Sequence, residues 1–480
     1  MTRMRAQFTG AIATVALLSA CSRPPNTDPR LVSVWTRTLY GAIRVERLSP
    51  PVASRLMAYA SAALYSGLVA VDPSRPSLAG VLNGLTALPV ANNRADYDGT
   101  VVAVVAEQVV LDSLFREGLP TTRAAIGRLA DSLTLARTGT GVSEDVRSRS
   151  AELGRRIGVA IVAWSHGDGF DSTRGRMLVP PKGLAYWVND APATVYATQN
   201  ISGTSEQVSL DNPANALKAG NSSDRSLILS RPKQPGKTLP AVNMAGMSEP
   251  YWGQVRPFVL KSWNECSVPT PPAYAVAAAA RMKIDAEQVA TLRSTLTAEQ
   301  RTIAYYWADN AGETGTPVGH WMSIASQMVS ERSLSANDAA RLMVLTAVVQ
   351  ADAFIAAWGY KYQYTLIRPR TYIRRVIDPT WEPLIPTPPF PEYPSGHSTV
   401  SAAVATVLTA VVGDVPFADS TGLSIGSAVR HFDSFGAAAS EAGMSRLYGG
   451  IHFLYGHTGG QALGKCVGGK VVERLQPLRP

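Results

Sequence analysis

Residues 394–412 read PSGHSTVSAAVATVLTAVV. The apolar run from Val400 to Val412 predicts a helix, which Ser395 and Gly396 open. A serine cap together with the free backbone N–H groups of a first helical turn forms a ready site for an anion. His397 falls in this first turn, so its imidazole is predicted to lie beside whatever binds there.

Two basic side chains precede this stretch. Lys361 and Arg368 are seven residues apart, but Arg368 comes directly before Pro369, which disfavours helical backbone at Arg368. We therefore expect Lys361 in the last turns of a helix, with Arg368 just beyond its end.

A third segment, downstream, combines an arginine and a histidine across a pair of glycines. Arg446 and His452 are six residues apart, which on one continuous helix would leave them about 120° from facing each other. The pair Gly449-Gly450 is therefore predicted to break the helix and let both side chains converge.

The side chains of these three segments suit a tetrahedral oxyanion. Arginine presents a planar fork to paired oxygens, whereas lysine offers a point charge that polarises one oxygen. One imidazole can donate electrons to the central atom while the other transfers protons near neutral pH. Each residue alone is better explained as a solvated charge or a packing histidine, but the ordered set favours an oxyanion site.

The ordered set closely resembles the vanadium-dependent haloperoxidases and the acid phosphatases that share their anion site. The resemblance covers residues 306–464 and implies vanadate as the cofactor, with His452 as the vanadium ligand and His397 as the acid–base residue. It implies that hydrogen peroxide, polarised by Lys361, oxidises halide to a hypohalous-acid-like species that reacts with an organic acceptor. The residues implied to hydrogen-bond the vanadate oxygens are Lys361, Arg368, Ser395, Gly396 and Arg446.

Other positions extend this resemblance. Residues 306–309 and 315–317 look like the chloroperoxidase segment that supplies an acid to the proton-transfer histidine. Asp309 is therefore a candidate for orienting His397, with a solvated aspartate at a helix end as the alternative. Trp358 and Phe390 resemble the aromatic positions of the halide pocket, with ordinary core aromatics as the alternative.

One position departs from the family pattern. Family members often carry an aspartate four residues after the ligating histidine, but this chain has Gly456, followed by His457. A ligating histidine normally has its second nitrogen held by a carboxylate, a carbonyl or water. Another group must therefore replace the aspartate, and backbone or His457 could serve.

The N-terminus has the pattern of an export signal. Arg3 and Arg5 precede an apolar run, and Leu-Ser-Ala-Cys follows at 18–21. This predicts a lipoprotein signal peptide over 1–20, a lipidated Cys21 that anchors the chain to a membrane, and a periplasmic or cell-surface location at the outer membrane. The alternative is ordinary secretory cleavage with Cys21 as a free thiol. No later run reaches about 18 uninterrupted apolar residues, so the body is predicted to be soluble.

Composition limits other classes of function. The net charge of +9 over 480 residues is moderate and spread along the chain, without the aromatic and basic clustering that indicates nucleic-acid binding. Cys266 and Cys466 are the interior cysteines, and in an oxidising compartment they could pair or remain free. Neither is predicted to bind a metal, because no Cys-x-x-Cys motif or histidine cluster accompanies it.

Helical periodicity dominates the chain and strand alternation is scarce, which predicts an all-α fold. Helices are expected at 51–71, 101–115, 144–164, 272–282, 298–307, 321–330 and 337–360. The predicted organisation is a linker at 21–30, an N-terminal helical lobe at 31–170, a loop-rich connector at 171–270 and a C-terminal helical catalytic lobe at 271–480. The resemblance implies two helical bundles, as in vanadium chloroperoxidase, with the site in the second.

The sequence thus favours a vanadate-dependent haloperoxidase. The first alternative is an acid phosphatase in which His452 attacks phosphorus and His397 protonates the leaving group. The second is an envelope lipoprotein that only binds an oxyanion, an interpretation that Gly456 supports.

Overall fold

The computed structural model describes residues 28–92, 94–174, 176, 178–189 and 248–478. The predicted signal peptide, Cys21 and most of the predicted connector lie outside the described residues. Within the described ranges the chain is mostly helical, which confirms the predicted all-α class.

Helices form both parts of the described chain. Before the gap they are α1 (Arg30–Val45), α2 (Pro50–Val69), α3 (Gly99–Leu114), α4 (Pro120–Thr138), α5 (Glu144–His166) and α6 (Phe170–Thr173). After it they are α7 (Arg281–Thr295), α8 (Ala298–Tyr306), α9 (Thr316–Glu331), α10 (Ala336–Tyr364), α11 (Pro369–Val376), α12 (Gly396–Val412), α13 (Phe435–Tyr448) and α14 (Leu454–Arg474). Short 3-10 helices lie at Trp252–Gln254, Thr421–Ile425 and Gln476–Leu478.

A two-stranded antiparallel sheet lies between α12 and α13. Strand β1 (Phe417–Asp419) pairs with β2 (Arg430–Phe432), so that Phe417 faces Phe432 and Asp419 faces Arg430. Asp419 ends β1 and is fully buried. The sheet therefore delivers a carboxylate to the interior.

Helix α10 is the central element of the described structure. It packs against α2, α9, α12 and α14, and most of its side chains are buried. Among the described residues it is the one helix long and apolar enough to cross a membrane, yet 94% of its apolar window is buried inside the molecule. Its Asp352 carboxylate accepts hydrogen bonds from the backbone N–H groups of Phe258, Val259 and Leu260 at 2.6–2.8 Å.

Helices α12 and α14 pack closely enough to bring their backbones together. Gly464 of α14 lies against α12, where an added Cβ would be 2.1 Å from the carbonyl oxygen of Thr399. This close approach fixes the position of α14 along the axis of α12. Since His397 belongs to the start of α12 and His452 lies just before α14, the contact also positions the two histidines.

A disulfide closes the segment after the gap onto the last long helix. Cys266 bonds Cys466 of α14, with the two Cα atoms 5.9 Å apart. The sequence left this pairing open, and the structure shows it formed. The predicted division into lobes stays a prediction, since α2 and α10 pack directly on each other across it.

The helix predicted at 272–282 is wrong. Residues 271–280 are irregular and none of them is buried, and the helix begins at Arg281. A short helix with no apolar face to bury is marginal in water. In this segment the Ala275 carbonyl accepts a hydrogen bond from the Tyr372 hydroxyl rather than from a helical N–H group. The other predicted helices are confirmed, with ends that differ by a few residues.

Candidate active site

Lys361 lies in the last turn of α10, and its side chain is fully buried. Its Nζ donates to the backbone carbonyls of Pro391, Glu392 and Pro394 at 3.0, 3.0 and 2.6 Å. Burial and the neighbouring Arg368 lower the pKa of Lys361, but three carbonyl acceptors match the three donors of an ammonium. Lys361 therefore holds the loop that leads into α12 and brings a positive charge to it.

Arg368 precedes α11 with φ −85° and ψ 156°, the extended backbone that the following Pro369 favours. Its Nε donates to the Phe390 carbonyl and its Nη1 to the Ile451 carbonyl, both at 2.8 Å. The same Nη1 lies 3.0 Å from Nε2 of His452. One guanidinium thus connects the segment before α12 with the segment before α14.

The two ring nitrogens of His452 have different partners. Nδ1 lies 2.9 Å from Oε1 of Glu392, which also accepts from the Phe453 N–H at 3.1 Å. Because a carboxylate accepts and a guanidinium donates, this network assigns the proton to Nδ1 and the lone pair to Nε2. Burial and the charges of Arg368 and Lys361 lower the pKa of His452 well below its usual value. The neutral ring therefore presents an electron pair at Nε2.

Arg446 lies near the end of α13, which stops at Tyr448 before Gly450 takes a φ of +76°. The helix thus breaks at the predicted glycine pair. Nη1 of Arg446 donates to the Trp307 carbonyl at 2.6 Å, while its buried Nε has no hydrogen-bond partner among the residues that the structure describes. Burial lowers the pKa of Arg446 to about 9.

His397 occupies the first turn of α12, whose cap is Ser395 with its Oγ accepting from the Ser398 N–H at 3.4 Å. Its Nε2 is 3.7 Å from Oδ2 of Asp309, too long for a direct hydrogen bond, and 15% of the side chain is exposed. Burial and the charge of Arg446 lower the pKa of His397 to about 4. The imidazole is therefore neutral near pH 7.

Most of the site residues described above line a cavity of about 80 Å³. The rings of Trp358 and Phe390 meet in its wall with centroids 4.9 Å apart. Three of the described site residues, Lys361, Arg368 and Ser395, do not line the cavity directly. Lys361 Nζ lies 5.1 Å from the centroid of the Phe390 ring, which does line it. Side chains that line the cavity include Asp309, Trp358, Phe390, His397, Arg446 and His452.

A second buried histidine lies behind Asp309. Nδ1 of His320, on α9, is 3.0 Å from Oδ1 of Asp309, and its Nε2 is 2.8 Å from Oδ2 of Asp419. Although burial acts to lower it, the two carboxylates raise the pKa of His320 to about 10. The ring therefore carries a positive charge between two negative ones.

Comparison with known proteins identifies the family of this chain. A family model described as the VCPO second helical-bundle domain matches residues 341–479. The solved structure described as the first bacterial vanadium-dependent iodoperoxidase superposes with a TM-score of 0.77 at 31% identity, covering 94% of this chain and 98% of that one. The chain belongs to the vanadium haloperoxidase family.

Two further known proteins are similar to this chain. The vanadium chloroperoxidase of Curvularia inaequalis is 27% identical over 31% of this chain, a match that spans 35% of the curated relative's length. A bacterial vanadium-dependent chloroperoxidase in its holo form has a TM-score of 0.61 at 16% identity and covers 91% of this chain and 94% of its own. At 16% identity, the similarity to this bacterial chloroperoxidase shows the shared fold alone.

The departure from the haloperoxidase pattern at Gly456 has a structural explanation. The carboxylate that binds Nδ1 of His452 comes from Glu392, so the expectation that backbone or His457 would serve is wrong. His457 instead pairs its Nδ1 with Ser398 Oγ at 3.0 Å. A Cβ at position 456 would lie 2.0 Å from Oε1 of Glu392. A side chain there and this carboxylate position therefore exclude each other.

Three buried acid–base groups of the site were not predicted from the sequence. Glu392 lies three residues before Ser395, and its acidic character was the only signal available. His320, on α9, follows the recognised 315–317 segment by three residues, and Asp419 ends β1, but neither belongs to a recognised motif. Their proximity arises from tertiary packing, to which sequence spacing gives no access.

Proposed function

We propose that this chain is a vanadate-dependent haloperoxidase that oxidises halide with hydrogen peroxide. The observation that carries the proposal is the Nε2 lone pair of neutral His452, next to the Arg368 guanidinium and on the same cavity as His397. An electron-pair donor among buried cations suits an electrophilic oxyanion. The second histidine suits proton transfer.

The residues present fit a bound vanadate. The side chains of Lys361, Arg368 and Arg446 are at most 4% exposed, so their charges are poorly solvated. Nε of Arg446 and Nε2 of His397 are buried without a hydrogen-bond partner in the described part of the chain. A multiply charged oxyanion would compensate these charges and accept a hydrogen bond from Nε of Arg446.

Each of these residues takes a distinct role. His452 Nε2 would ligate vanadium, Lys361, Arg368 and Arg446 would supply charge, and Ser395 and Gly396 open the helix whose first turn would offer N–H groups to the anion. When bound, vanadate supplies a Lewis acid that activates hydrogen peroxide without changing oxidation state. Glu392 keeps the proton of His452 on Nδ1 and so keeps Nε2 available.

His397 manages the protons of the reaction. A neutral imidazole keeps a lone pair on one ring nitrogen, and this nitrogen of His397 accepts the proton that hydrogen peroxide loses and returns it to the departing oxygen. Halide gives two electrons to peroxide, so that hydrogen peroxide, halide and one proton yield hypohalous acid and water. The relative described as an iodoperoxidase, at 31% identity, makes iodide the first halide to test.

An acid phosphatase is the second candidate. The same lone pair on His452 could attack phosphorus, and the cations would hold phosphate oxygens equally well. Trp358 and Phe390 favour halide chemistry, because their rings line the cavity at positions that resemble the halide pocket of the family.

A role limited to oxyanion binding loses its main support. Gly456 suggested a histidine without a carboxylate partner, but Glu392 provides that partner. The lipid anchor at Cys21, the outer-membrane location and the organic acceptor are part of the proposal and rest on the sequence pattern and the family resemblance.

Two alanine variants test the assigned roles. His452→Ala should abolish the coordinated vanadate signal in vanadium NMR, whereas His397→Ala should keep the signal and lose about 10²–10⁴-fold in turnover. His166→Ala, an exposed histidine beside Asp171, serves as the matched control. Unchanged vanadate binding in His452→Ala would contradict the ligand role, and unchanged turnover in His397→Ala would contradict the acid–base role.

A further inference from the structure

Four titratable side chains contact one another in a row that leads from the cavity into the protein interior. It begins at His397, continues through Asp309 and His320, and ends at Asp419. The three inner members are at most 5% exposed. The last of them, Asp419, is fixed in turn because its Oδ1 accepts from the Thr421 N–H at 2.9 Å.

His320 is held on every side that the structure describes. Its ring stacks on Trp307 with centroids 4.2 Å apart and an interplanar angle of 13°, and the edge of Tyr306 approaches it at 5.4 Å. Both ring nitrogens face carboxylate oxygens, at 3.0 Å for Asp309 and 2.8 Å for Asp419. Since carboxylates only accept, both nitrogens must donate, and the ring is an imidazolium.

Asp309 depends on this support. Its backbone has φ 48°, in the left-handed region that costs a non-glycine residue conformational energy, although aspartate tolerates it better than most. Its two oxygens lie 3.0 and 3.2 Å from Nδ1 of His320, closer than the 3.7 Å that separates Oδ2 from His397. The position of the Asp309 carboxylate is therefore set by His320 rather than by His397.

We infer that His320 is a positioning residue: clamped by Asp419, it orients the Asp309 carboxylate against His397 and partly neutralises that carboxylate. The inference rests on the proposed function for its catalytic consequence. The contacts among these four side chains are observed in the structure and do not rest on that function.

The charge on His320 affects the proton affinity of His397. The charged and titratable groups that face His397 from the surrounding described elements are Asp309, Arg446, His320 and His452. Asp309 favours the protonated ring, whereas Arg446 and His320 oppose it. Replacing His320 by a neutral residue leaves Asp309 less screened, so the titration of His397 should move to higher pH.

A double-mutant cycle tests the catalytic consequence. His320→Gln should lower halide turnover by about 10–100-fold, the usual effect of an outer-shell partner, with little change in KM for hydrogen peroxide or in vanadate affinity. In an Asp309→Asn background the same substitution should cause no further loss, because it acts through Asp309. Independent, multiplying losses would overturn the inference, as would full turnover in His320→Gln.

Conservative and structural controls keep this cycle interpretable. Asp419→Asn preserves an acceptor for His320 but removes the charge, so it should give part of the effect of His320→Gln. Asp168 is another buried carboxylate; it accepts hydrogen bonds from Arg55 and Tyr59 and does not line the cavity. Asp168→Asn should therefore lower stability while leaving turnover unchanged. A loss of turnover in Asp168→Asn that equals the loss in His320→Gln would reduce the role of His320 to general stability.

Histidine NMR of the vanadate-free protein separates failure of this inference from failure of the proposed function. With ¹⁵N-labelled histidine, the His397 resonance should titrate at higher pH in His320→Gln and in Asp419→Asn than in the unmodified protein, and His320 should appear as an imidazolium at pH 8. An unchanged His397 titration, or a neutral His320, would refute the inference even if the enzyme is active. The expected shifts in a protein without halide turnover would refute the proposed function alone.

Discussion

At the scale of single residues, the pair Glu392 and Gly456 is the most distinctive feature of the site. Glu392 Oε1 accepts from His452 Nδ1 at 2.9 Å and occupies the space that a side chain at 456 would take. Burial raises the pKa of Glu392 to about 7, although Arg368 and Lys361 act to lower it. The carboxylate that holds the histidine therefore comes from the loop before α12 instead of from α14.

Gly456→Ala should weaken vanadate binding. The new Cβ would lie 2.0 Å from Oε1 of Glu392 and force the carboxylate away from His452. Loss of such a partner typically costs about 10–100-fold in affinity, to be measured by equilibrium dialysis against vanadate. Gly469→Ala, in the same helix with no atom within 4 Å of the new Cβ, is the control. Native affinity in Gly456→Ala would contradict the role of Glu392.

The charge on His320 should make stability depend on pH in a defined direction. Its folded pKa is about 10, raised by Asp309 and Asp419 against the effect of burial, whereas an unfolded histidine has a pKa of about 6.5. A raised pKa contributes stability that is complete below the unfolded value and disappears as the pH rises through the folded value. The stability difference between the unmodified protein and His320→Gln should therefore shrink from pH 6.5 to pH 10.

Urea unfolding of both proteins across this pH range measures that difference. His166→Gln, which changes an exposed histidine, should leave the pH profile of stability unaltered. A difference for His320→Gln that stays constant up to pH 10 would show that His320 is not charged in the folded protein.

At the scale of elements, local signals were sufficient where the decisive interactions are local. Ser395 predicted the start of α12, Pro369 the extended backbone at Arg368, and the glycine pair the end of α13. The prediction at 272–282 failed because helical composition does not reveal whether a segment has a surface to pack on. Glu392 and His320 were missed because their contacts connect distant segments.

The packing of α14 on α12 gives a prediction for an element. Gly464→Ala would place a Cβ 2.1 Å from the Thr399 carbonyl and 2.8 Å from the Ala402 Cβ, so the helices must separate. Such overpacking typically costs about 1–3 kcal/mol. Gly469→Ala in the same helix should instead stabilise by about 0.5–1 kcal/mol, because only helix propensity changes. Equal unfolding free energies for the two variants would contradict the close helix contact.

At the scale of the whole molecule, the disulfide joins residues 200 positions apart. Asp352 of α10 binds the backbone of the segment that begins at Phe258, and Cys266 of the same segment is bonded to Cys466 of α14. The disulfide thus connects the last long helix, α14, to the central helix, α10. Replacing both Cys266 and Cys466 by serine should lower the unfolding free energy by about 2–5 kcal/mol. Calorimetry with and without reductant checks this. A midpoint that reductant does not change would indicate that the two thiols are free.

The central claim is that the cluster around His452 and His397 uses vanadate to oxidise halide. The most direct measurement follows iodide and bromide oxidation by hydrogen peroxide with the purified protein, before and after addition of orthovanadate, with a phosphate-ester assay on the vanadate-free sample. Halide oxidation that appears only with vanadate is the predicted result. Hydrolysis of the phosphate ester that vanadate inhibits, without halide oxidation, would contradict the account and identify a phosphatase.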